Sequence, residues 1–282
     1  MHMDVLSIQN LNKRYEKFVL KNVSFSLEQG TIMGFIGRNG AGKTTTLKAL
    51  LNYVHADSGT IKFFGEDFSD NEFLIKQKVG FVSGGVNYYP KKKLKTITEV
   101  TKRFYEKWDE AAYQSYLGRF HLDPEKKADE LSEGMKVKYQ LALALSHHAQ
   151  LLIFDEPTSG LDPVSRDDLL DLFITLVEEE QISILFSTHI TSDLEKCARY
   201  VTYIKNGEIV ASTDKKSFLD AYKIVKGRSD HLTEAISKKL ISFKKHADGF
   251  CGLIFTENLP VDGDVEILPA DLESIMIYIE KE

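Results

Sequence analysis

Short apolar runs alternate with longer stretches of helical spacing along most of the chain. Residues 31–36, 151–154 and 182–186 are almost continuously apolar, and each run predicts a strand that is buried on both faces. The first two runs are followed by stretches with apolar residues three and four positions apart, which predict helices. Strands that alternate with helices in this way predict a mostly parallel sheet covered on both faces.

Half-buried strands and a helical segment complete the first predicted domain. Residues 23–27 alternate apolar side chains with serines, which is the pattern of a strand with one exposed face. An Asn-Gly pair at positions 206–207 predicts a tight hairpin turn between two further strands. Residues from about 90 to 148 predict a helical subdomain. The predicted strands outside the buried runs are 5–8, 23–27, 60–64, 79–82, 200–205 and 208–211.

The pattern changes after about Lys215, where short helices and strands alternate without a catalytic motif. We interpret this part as a small α+β appendage. The chain therefore divides into two predicted domains, residues 1–214 and residues 215–282. The predicted helices of the second domain are 218–222, 231–240 and 271–279, and its predicted strands are 223–225, 241–244 and 252–255.

Composition and charge exclude several classes of protein. With 43% hydrophobic residues, the 282-residue chain is too apolar for a disordered protein. It has 36 basic and 42 acidic residues and a net charge of −6, which argues against nucleic acid as a partner. Its two cysteines, Cys197 and Cys251, lack metal-ligand spacing and predict a reducing compartment. Because no apolar run approaches about 20 residues and no signal peptide is visible, we expect a cytoplasmic protein.

Residues 37–44, with the sequence GRNGAGKT, have the spacing of a phosphate-binding loop. A predicted strand precedes the loop and a predicted helix follows it, which favours nucleotide binding over a glycine turn that binds nothing. The glycines let backbone N–H groups approach a phosphate, and the helix N-terminus adds positive charge. Lys43 can then reach the outer phosphates, and the Thr44 hydroxyl can bind Mg²⁺. The predicted ATP-binding residues of this segment are Gly37, Arg38, Asn39, Gly40, Ala41, Gly42, Lys43, Thr44 and Thr45.

Two carboxylates follow the second buried run, and an imidazole follows the third. Asp155 can reach the Mg²⁺ that also contacts Thr44, and Glu156 can polarise an attacking water. The alternative is a helix start, at which both carboxylates favour the helix dipole. His189 follows a strand expected beside that of Asp155, where it can bond the γ-phosphate or orient the water; the alternative is a surface or core histidine.

Over residues 5–211 the chain resembles the nucleotide-binding subunits of ATP-binding cassette (ABC) transporters. The motifs stand in that family's order: the phosphate loop, LSEGM at 131–135, LLIFDE at 151–156, SGLD at 159–162, and His189. The fold class is accordingly α/β. We expect a P-loop NTPase core with a mostly parallel sheet, an antiparallel N-terminal edge and a helical subdomain, plus the C-terminal appendage.

The resemblance also implies an activity and partners. ATP hydrolysis, with ATP and Mg²⁺ as cofactors, would drive transport through separate transmembrane permease subunits at the inner face of the membrane. The chain would form an ATP-dependent head-to-tail homodimer, or a heterodimer with a related subunit. Each ATP would lie between one phosphate loop and the partner chain's Ser132 and Gly134, and Asp162 would link the two sites. Tyr15 would stack on adenine; the alternative is a buried tyrosine at a strand end.

The sequence departs from the family pattern in two places. LSEGM replaces the usual LSGGQ but keeps Ser132 and Gly134. A glutamine is expected shortly after residues 79–82, where the chain instead has Ser83, Gly84 and Gly85. This difference weakens the expectation of one Mg²⁺ or water contact and of part of the coupling to a membrane partner. Together with the appendage, these features most resemble exporters of the antibiotic-resistance type in Gram-positive bacteria.

Alternatives remain for one surface and for the activity. A basic run beside two tyrosines predicts either a solvated loop or a contact surface for a membrane subunit. The activity can instead be that of a soluble ABC-type ATPase acting on ribosomes or DNA, or of an ATP-binding regulatory module that hydrolyses poorly. The residues of the basic surface are Tyr88, Tyr89, Lys91, Lys92, Lys93 and Lys95.

Overall fold

The computed structural model describes residues 3–83, 89–259 and 264–281. The chain forms two compact units, Met1–Val210 and Ala211–Glu282. This division lies a few residues before the boundary predicted at 214–215.

The N-terminal strands form a four-stranded antiparallel sheet in the order β2-β1-β4-β5. Leu6 pairs with Leu27 and Ile8 with Phe25, so the apolar positions of both strands face the same side. The strands are antiparallel as expected, but they form a sheet of their own instead of an edge of the parallel sheet. The strands are β1 (Asp4–Arg14), β2 (Val19–Glu28), β4 (Ser58–Phe63) and β5 (Glu66–Asp67).

The central sheet has six strands in the order β10-β9-β3-β8-β7-β6. Parallel pairing places β3 between β8 and β9, and β7 between β8 and β6. All five residues of β3 and all six of β8 are buried, as their continuous apolar runs predict. The strands are β3 (Ile32–Ile36), β6 (Val79–Ser83), β7 (Leu151–Asp155), β8 (Ser183–Thr188), β9 (Tyr200–Lys205) and β10 (Glu208–Asp214).

Helices cover this sheet and form the predicted helical subdomain. Within the subdomain, the Thr98 hydroxyl lies 2.7 Å from that of Tyr113 and 2.9 Å from that of Tyr139, and all three side chains are buried. These bonds hold its three helices together. No helix in the described parts of the chain is long and apolar enough to cross a bilayer. The helices are α1 (Lys43–Leu50), α2 (Phe68–Lys76), α3 (Leu94–Thr101), α4 (Glu110–Arg119), α5 (Glu133–Ser146), α6 (Pro163–Glu180) and α7 (Thr191–Cys197).

The second unit is built on an antiparallel sheet in the order β12-β13-β11-β14. The helix predicted at 218–222 ends earlier, because Tyr222 begins a strand and packs against Phe218 and Phe255. The helix predicted at 231–240 is shorter than expected, and the last strand was not predicted. The elements are α8 (Lys215–Asp220), β11 (Tyr222–Gly227), α9 (Glu234–Lys239), β12 (Leu240–His246), β13 (Gly249–Phe255), β14 (Val265–Pro269) and α10 (Leu272–Ile279).

Candidate active site

The loop between β3 and α1 can be formed only with glycine at two positions. Gly42 has a φ of 116°, and a Cβ there would lie 2.6 Å from Cδ2 of Leu20. A Cβ on Gly37 would lie 2.4 Å from the carbonyl oxygen of Ile204. These contacts are closer than carbon atoms tolerate, so larger residues would displace the loop. The strand, loop and helix predicted from the sequence are therefore present, with α1 beginning at Lys43.

The Lys43 side chain is buried and points back along the loop. Its ammonium donates to the carbonyl oxygen of Gly37 at 2.7 Å and to that of Arg38 at 3.3 Å. It also lies 3.1 Å from Oε1 of Glu156, and only 5% of its side chain is exposed. A buried ammonium held by carbonyl oxygens and one carboxylate has a fixed position, which suits it to bind an anion entering the loop.

The Glu156 side chain contacts both the end of the phosphate loop, at Lys43, and the residue that follows β8, His189. Its Oε1 faces Lys43, and its Oε2 lies 2.8 Å from Nδ1 of His189. The Glu156 backbone is left-handed, with a φ of 53°, and its N–H donates to the carbonyl and the hydroxyl of Ser187, each at 3.1 Å. The adjacent strand thus holds a strained backbone conformation, as is common for residues at functional sites.

Asp155 lies directly opposite Ser187 in the parallel pairing of β7 and β8. Its Oδ1 accepts hydrogen bonds from the Ser187 hydroxyl at 2.7 Å and from the Thr44 hydroxyl at 3.1 Å. The hydrogen bond from the first turn of α1 shows that Asp155 and Thr44 lie together, as the sequence predicted. The alternative of a helix start at Asp155 is wrong, because Asp155 ends β7 and α6 begins only at Pro163.

A cavity of about 640 Å³ opens beside these groups. The described residues that line it do not include Tyr15, although they include the nearby Phe18. Tyr15 is 42% exposed, which contradicts the alternative of a buried tyrosine, and its N–H donates to the Phe18 carbonyl at 2.7 Å. Its role at adenine stays a prediction. The lining residues are Lys17, Phe18, Arg38, Asn39, Gly40, Gly42, Lys43, Thr44, Thr45, Glu156, Ser159 and His189.

Comparison with known proteins identifies the family. The ABC transporter family model matches residues 20–159. The ABC transporter ATP-binding protein YtrB of Bacillus subtilis (strain 168) is 32% identical over 219 residues, which cover 77% of this chain and 75% of that protein. The chain belongs to the ATP-binding subunits of ABC transporters. ABC subunits of this kind bind and hydrolyse ATP, dimerise, and work with transmembrane permease subunits.

Other comparisons agree with this assignment. The bacitracin transport ATP-binding protein BcrA of Bacillus licheniformis is 32% identical over 209 residues, which cover 73% of this chain and 68% of that protein. A solved structure of the ATP binding subunit of an ABC transporter superposes with a TM-score of 0.67 at 25% identity, covering 76% of this chain and 91% of that one.

Three predicted site residues of this ABC subunit, Ser132, Gly134 and Asp162, lie at helix N-termini. Ser132 is the N-cap of α5 and accepts a hydrogen bond from the Met135 N–H at 3.3 Å. Asp162 is the N-cap of α6 and accepts from the Val164 and Ser165 N–H groups, each at 3.0 Å. The Ser165 hydroxyl and these N–H groups keep the pKa of Asp162 below its usual value. Serine and aspartate are both residue types that commonly cap helices.

Part of the predicted surface beside this site lies outside the described residues. Gly84 and Gly85, which replace the expected glutamine, and Tyr88 belong to that part. Lys93 and Lys95 are described, and both pair with Glu125, at 2.8 and 2.5 Å. These two ammonium groups lower the pKa of Glu125 to about 2. Two of the four lysines are therefore paired within the subunit, and the shared carboxylate offsets one of their two positive charges.

Two residues at these strand ends were not predicted from the sequence. Ser187 bonds both Asp155 and Glu156, and Asp193 is fully buried beside the same strand ends. Ser187 is detectable once β7 and β8 are known to be parallel neighbours, because it precedes the Thr188-His189 pair at the strand end. Asp193 has no such signal, since an aspartate in a first helical turn is common at the surface.

Proposed function

We propose that this subunit binds Mg-ATP at the cavity beside the phosphate loop and powers export through a separate permease. The observation that carries the proposal is the arrangement of Lys43, Glu156 and His189 next to Thr44 and Asp155. It combines a fixed cation, a proton acceptor and two oxygen donors, the groups required for hydrolysis of a phosphoanhydride. The protein would lie on the cytoplasmic face of the membrane.

The chain's own residues suggest how each group acts. The loop N–H groups and Lys43 would bind the β- and γ-phosphates. The Thr44 hydroxyl and the Asp155 carboxylate are hard oxygen donors, so they fit Mg²⁺ as ligands alongside phosphate and water. When bound, Mg²⁺ would neutralise charge on the phosphate oxygens. Glu156 would accept the proton of the attacking water.

His189 would complete the site at the end of β8. Its Nδ1 lies against Glu156, so its Nε2 remains available to a phosphate oxygen or to the attacking water. The imidazole and Lys43 contact opposite oxygens of the same carboxylate, which fixes the Glu156 side chain between them. A general base held from two sides keeps its position through the reaction.

The second half of each site would come from a partner subunit. Ser132 and Gly134 stand at the N-terminus of α5, where free N–H groups and the helix dipole favour an anion. We propose that these groups contact the partner's ATP in a head-to-tail dimer and that Asp162 links the two sites. The partner is a second copy of this chain or a related subunit.

The direction of transport is proposed from the names of relatives. BcrA is named for bacitracin transport, and a relative from Burkholderia orbicola (strain AU 1054) that is 33% identical over 217 residues is named for Nod factor export. Both names describe transport of a compound, and the latter states export. We therefore propose export of such a compound.

Two measurements test the proposal. Purified protein should hydrolyse ATP in the presence of Mg²⁺ and lose turnover when EDTA removes the metal. Detergent extraction of the native membrane should co-purify the subunit with an integral membrane protein. An active enzyme recovered only with ribosomes or DNA would instead support a soluble ABC-type ATPase. A chain that binds ATP with no measurable turnover would support a regulatory module.

A further inference from the structure

Asp193 is a buried carboxylate in the first turn of α7. Its residue is 0% exposed, although the helix itself lies at the surface of the unit. Its Oδ1 forms an ion pair with Nε of Arg166, and its Oδ2 accepts a hydrogen bond from the Thr158 hydroxyl at 2.6 Å. Burying a carboxylate is unfavourable unless it is paired and bonded, so this geometry needs each of these partners.

Two of these partners stand at opposite ends of one loop. Thr158 follows Glu156 by two residues, and Arg166 lies in the first turn of α6, where its N–H bonds to the carbonyl of Asp162. Asp193 thus bonds both ends of residues 158–166. This segment includes Ser159, which lines the cavity, and the proposed dimer contact Asp162.

The same carboxylate also reaches the histidine strand. Oδ2 of Asp193 lies 3.4 Å from the Thr188 hydroxyl, and that hydroxyl accepts a hydrogen bond from the Ile190 N–H at 3.0 Å. The Thr188 side chain therefore bonds to the backbone on the other side of His189, at Ile190. A shift of Asp193 would be transmitted to both flanks of His189.

We propose that Asp193 is a positioning residue that sets the 158–162 loop and His189 relative to each other. It would thereby bring Glu156, His189 and the dimer-facing loop to the same nucleotide. This inference rests on the proposed function of the site, and it adds a residue that is not among the described residues lining the cavity.

Stability of the fold alone does not account for this ion pair. Lys196 already joins α7 to α6 at the surface, with its ammonium 2.5 Å from Asp167 and 2.7 Å from Asp171. A buried ion pair also adds little net stability compared with apolar packing. The buried pair instead fixes the position of the loop at 158–162 relative to the segment that carries His189, although the two are distant in sequence.

The test compares isosteric variants with a matched control on the same two helices. Asp193→Asn keeps the shape but removes the charge, and Thr188→Val and Thr158→Val each remove one hydroxyl while leaving the ion pair between Asp193 and Arg166 in place. We expect kcat to fall about tenfold or more in Asp193→Asn, with KM for ATP changed less than about threefold. Lys196→Gln breaks the surface pairs between α6 and α7 and should keep kcat within about twofold.

A double-variant cycle with His189→Ala separates positioning from general damage. If Asp193 acts through His189, Asp193→Asn should lower the residual turnover of His189→Ala much less than that of the wild type, measured with radiolabelled ATP. The inference would be overturned if the losses of turnover in the two single variants added fully in the double variant. It would also be overturned if Lys196→Gln lost as much turnover as Asp193→Asn. If Asp193→Asn does not fold by circular dichroism, unchanged kcat in both threonine variants would overturn it. Absence of Mg-dependent turnover in the wild type would instead contradict the proposed function.

Discussion

Glu156 connects the chemical groups of the site through contacts at both of its carboxylate oxygens. One oxygen faces Lys43 and the other faces His189, while the backbone is held left-handed by Ser187. These contacts come from the start of α1 and from the end of β8, so the position of this carboxylate depends on how these two elements are assembled. Substitutions at Glu156 and Lys43 should therefore separate the binding of ATP from its hydrolysis.

Glu156→Gln should retain ATP binding and lose hydrolysis. The amide keeps the size of the side chain but cannot accept a proton, while Thr44, Asp155 and Lys43 are unchanged. We expect turnover to fall by ~10²-fold or more, as for loss of a positioned general base. The variant should elute as a dimer from size exclusion with Mg-ATP. Near wild-type turnover would contradict the assignment of Glu156 as the general base.

Lys43→Ala should weaken the binding of ATP, the step that precedes hydrolysis. Removing the ammonium leaves the phosphates without their fixed cation and leaves Glu156 without one of its partners. We expect ATP affinity, measured by equilibrium titration, to fall about tenfold or more, and no ATP-dependent dimer to form. If Lys43→Ala formed the same stable dimer as Glu156→Gln, Lys43 would have no role in binding.

His147 should make this unit less stable in acid. Burial lowers its pKa from 6.5 to about 4, although its Nδ1 bonds to the Gln77 carbonyl at 3.0 Å. The unfolded chain gains a proton as the pH falls below 6.5 while the folded chain stays neutral, so stability is lost between pH 6.5 and 4. At pH 5 the loss is about 2 kcal/mol.

The His147→Asn variant provides the control for that loss. Its amide can still donate to Gln77, but it does not titrate and it loses the ring stacked 3.7 Å from Tyr105. It should be less stable than the wild type at pH 7, and its stability should fall by about 2 kcal/mol less between pH 7 and 5. Urea unfolding followed by the fluorescence of Trp108 measures this, and equal pH dependence in both proteins would contradict the assignment.

At the scale of elements, the N-terminus of α5 carries the proposed contact between subunits. A Cβ on Gly134 would meet Leu161 and Ser165 at ordinary contact distances of 3.7 to 3.8 Å, so the fold tolerates a side chain there. This position is therefore suited to a test of the interface that leaves the fold unchanged.

Gly134→Asp should prevent ATP-dependent dimerisation. The new carboxylate would stand where the partner's γ-phosphate is proposed to bind, and two negative charges in close contact repel each other strongly. Gly134→Ala is the matched control, because it adds a Cβ without charge and should reduce dimer formation much less. The measurement is size exclusion of both variants in the Glu156→Gln background with Mg-ATP. Normal dimerisation of Gly134→Asp would contradict the composite site.

At the scale of the whole molecule, the chain consists of a catalytic unit and a smaller α+β unit. The residues proposed for ATP chemistry all precede residue 211, at which the second unit begins. We therefore propose a regulatory or dimer-supporting role for the second unit.

A chain that ends at Asp214 should keep its ATP affinity. The truncation retains all of β10 and every residue that lines the cavity. We expect the dissociation constant for ATP to stay within about threefold of that of the full chain, measured by titration of protein shown to be folded by circular dichroism. Loss of ATP binding in a folded, monodisperse truncation would assign the second unit a part in the site.

Sequence patterns predicted those parts of the fold that depend on neighbouring residues. The phosphate loop and the buried strands follow from local geometry and from the pattern of apolar residues. The predicted ends of helices and strands were less accurate where tertiary contacts decide them. Tyr222, for example, continues a helical pattern but begins β11, because two aromatic rings pack on it from other elements.

The sequence by itself determined the chemical groups of the site and their approximate places at the ends of buried strands. The tertiary structure decided which of these groups touch. The pairing of β7 with β8 brings Ser187 to Asp155, and the packing of α7 against α6 brings Asp193 to Arg166. The physical reason is that such contacts join residues about thirty positions apart, and only the order of strands and the packing of helices bring them together.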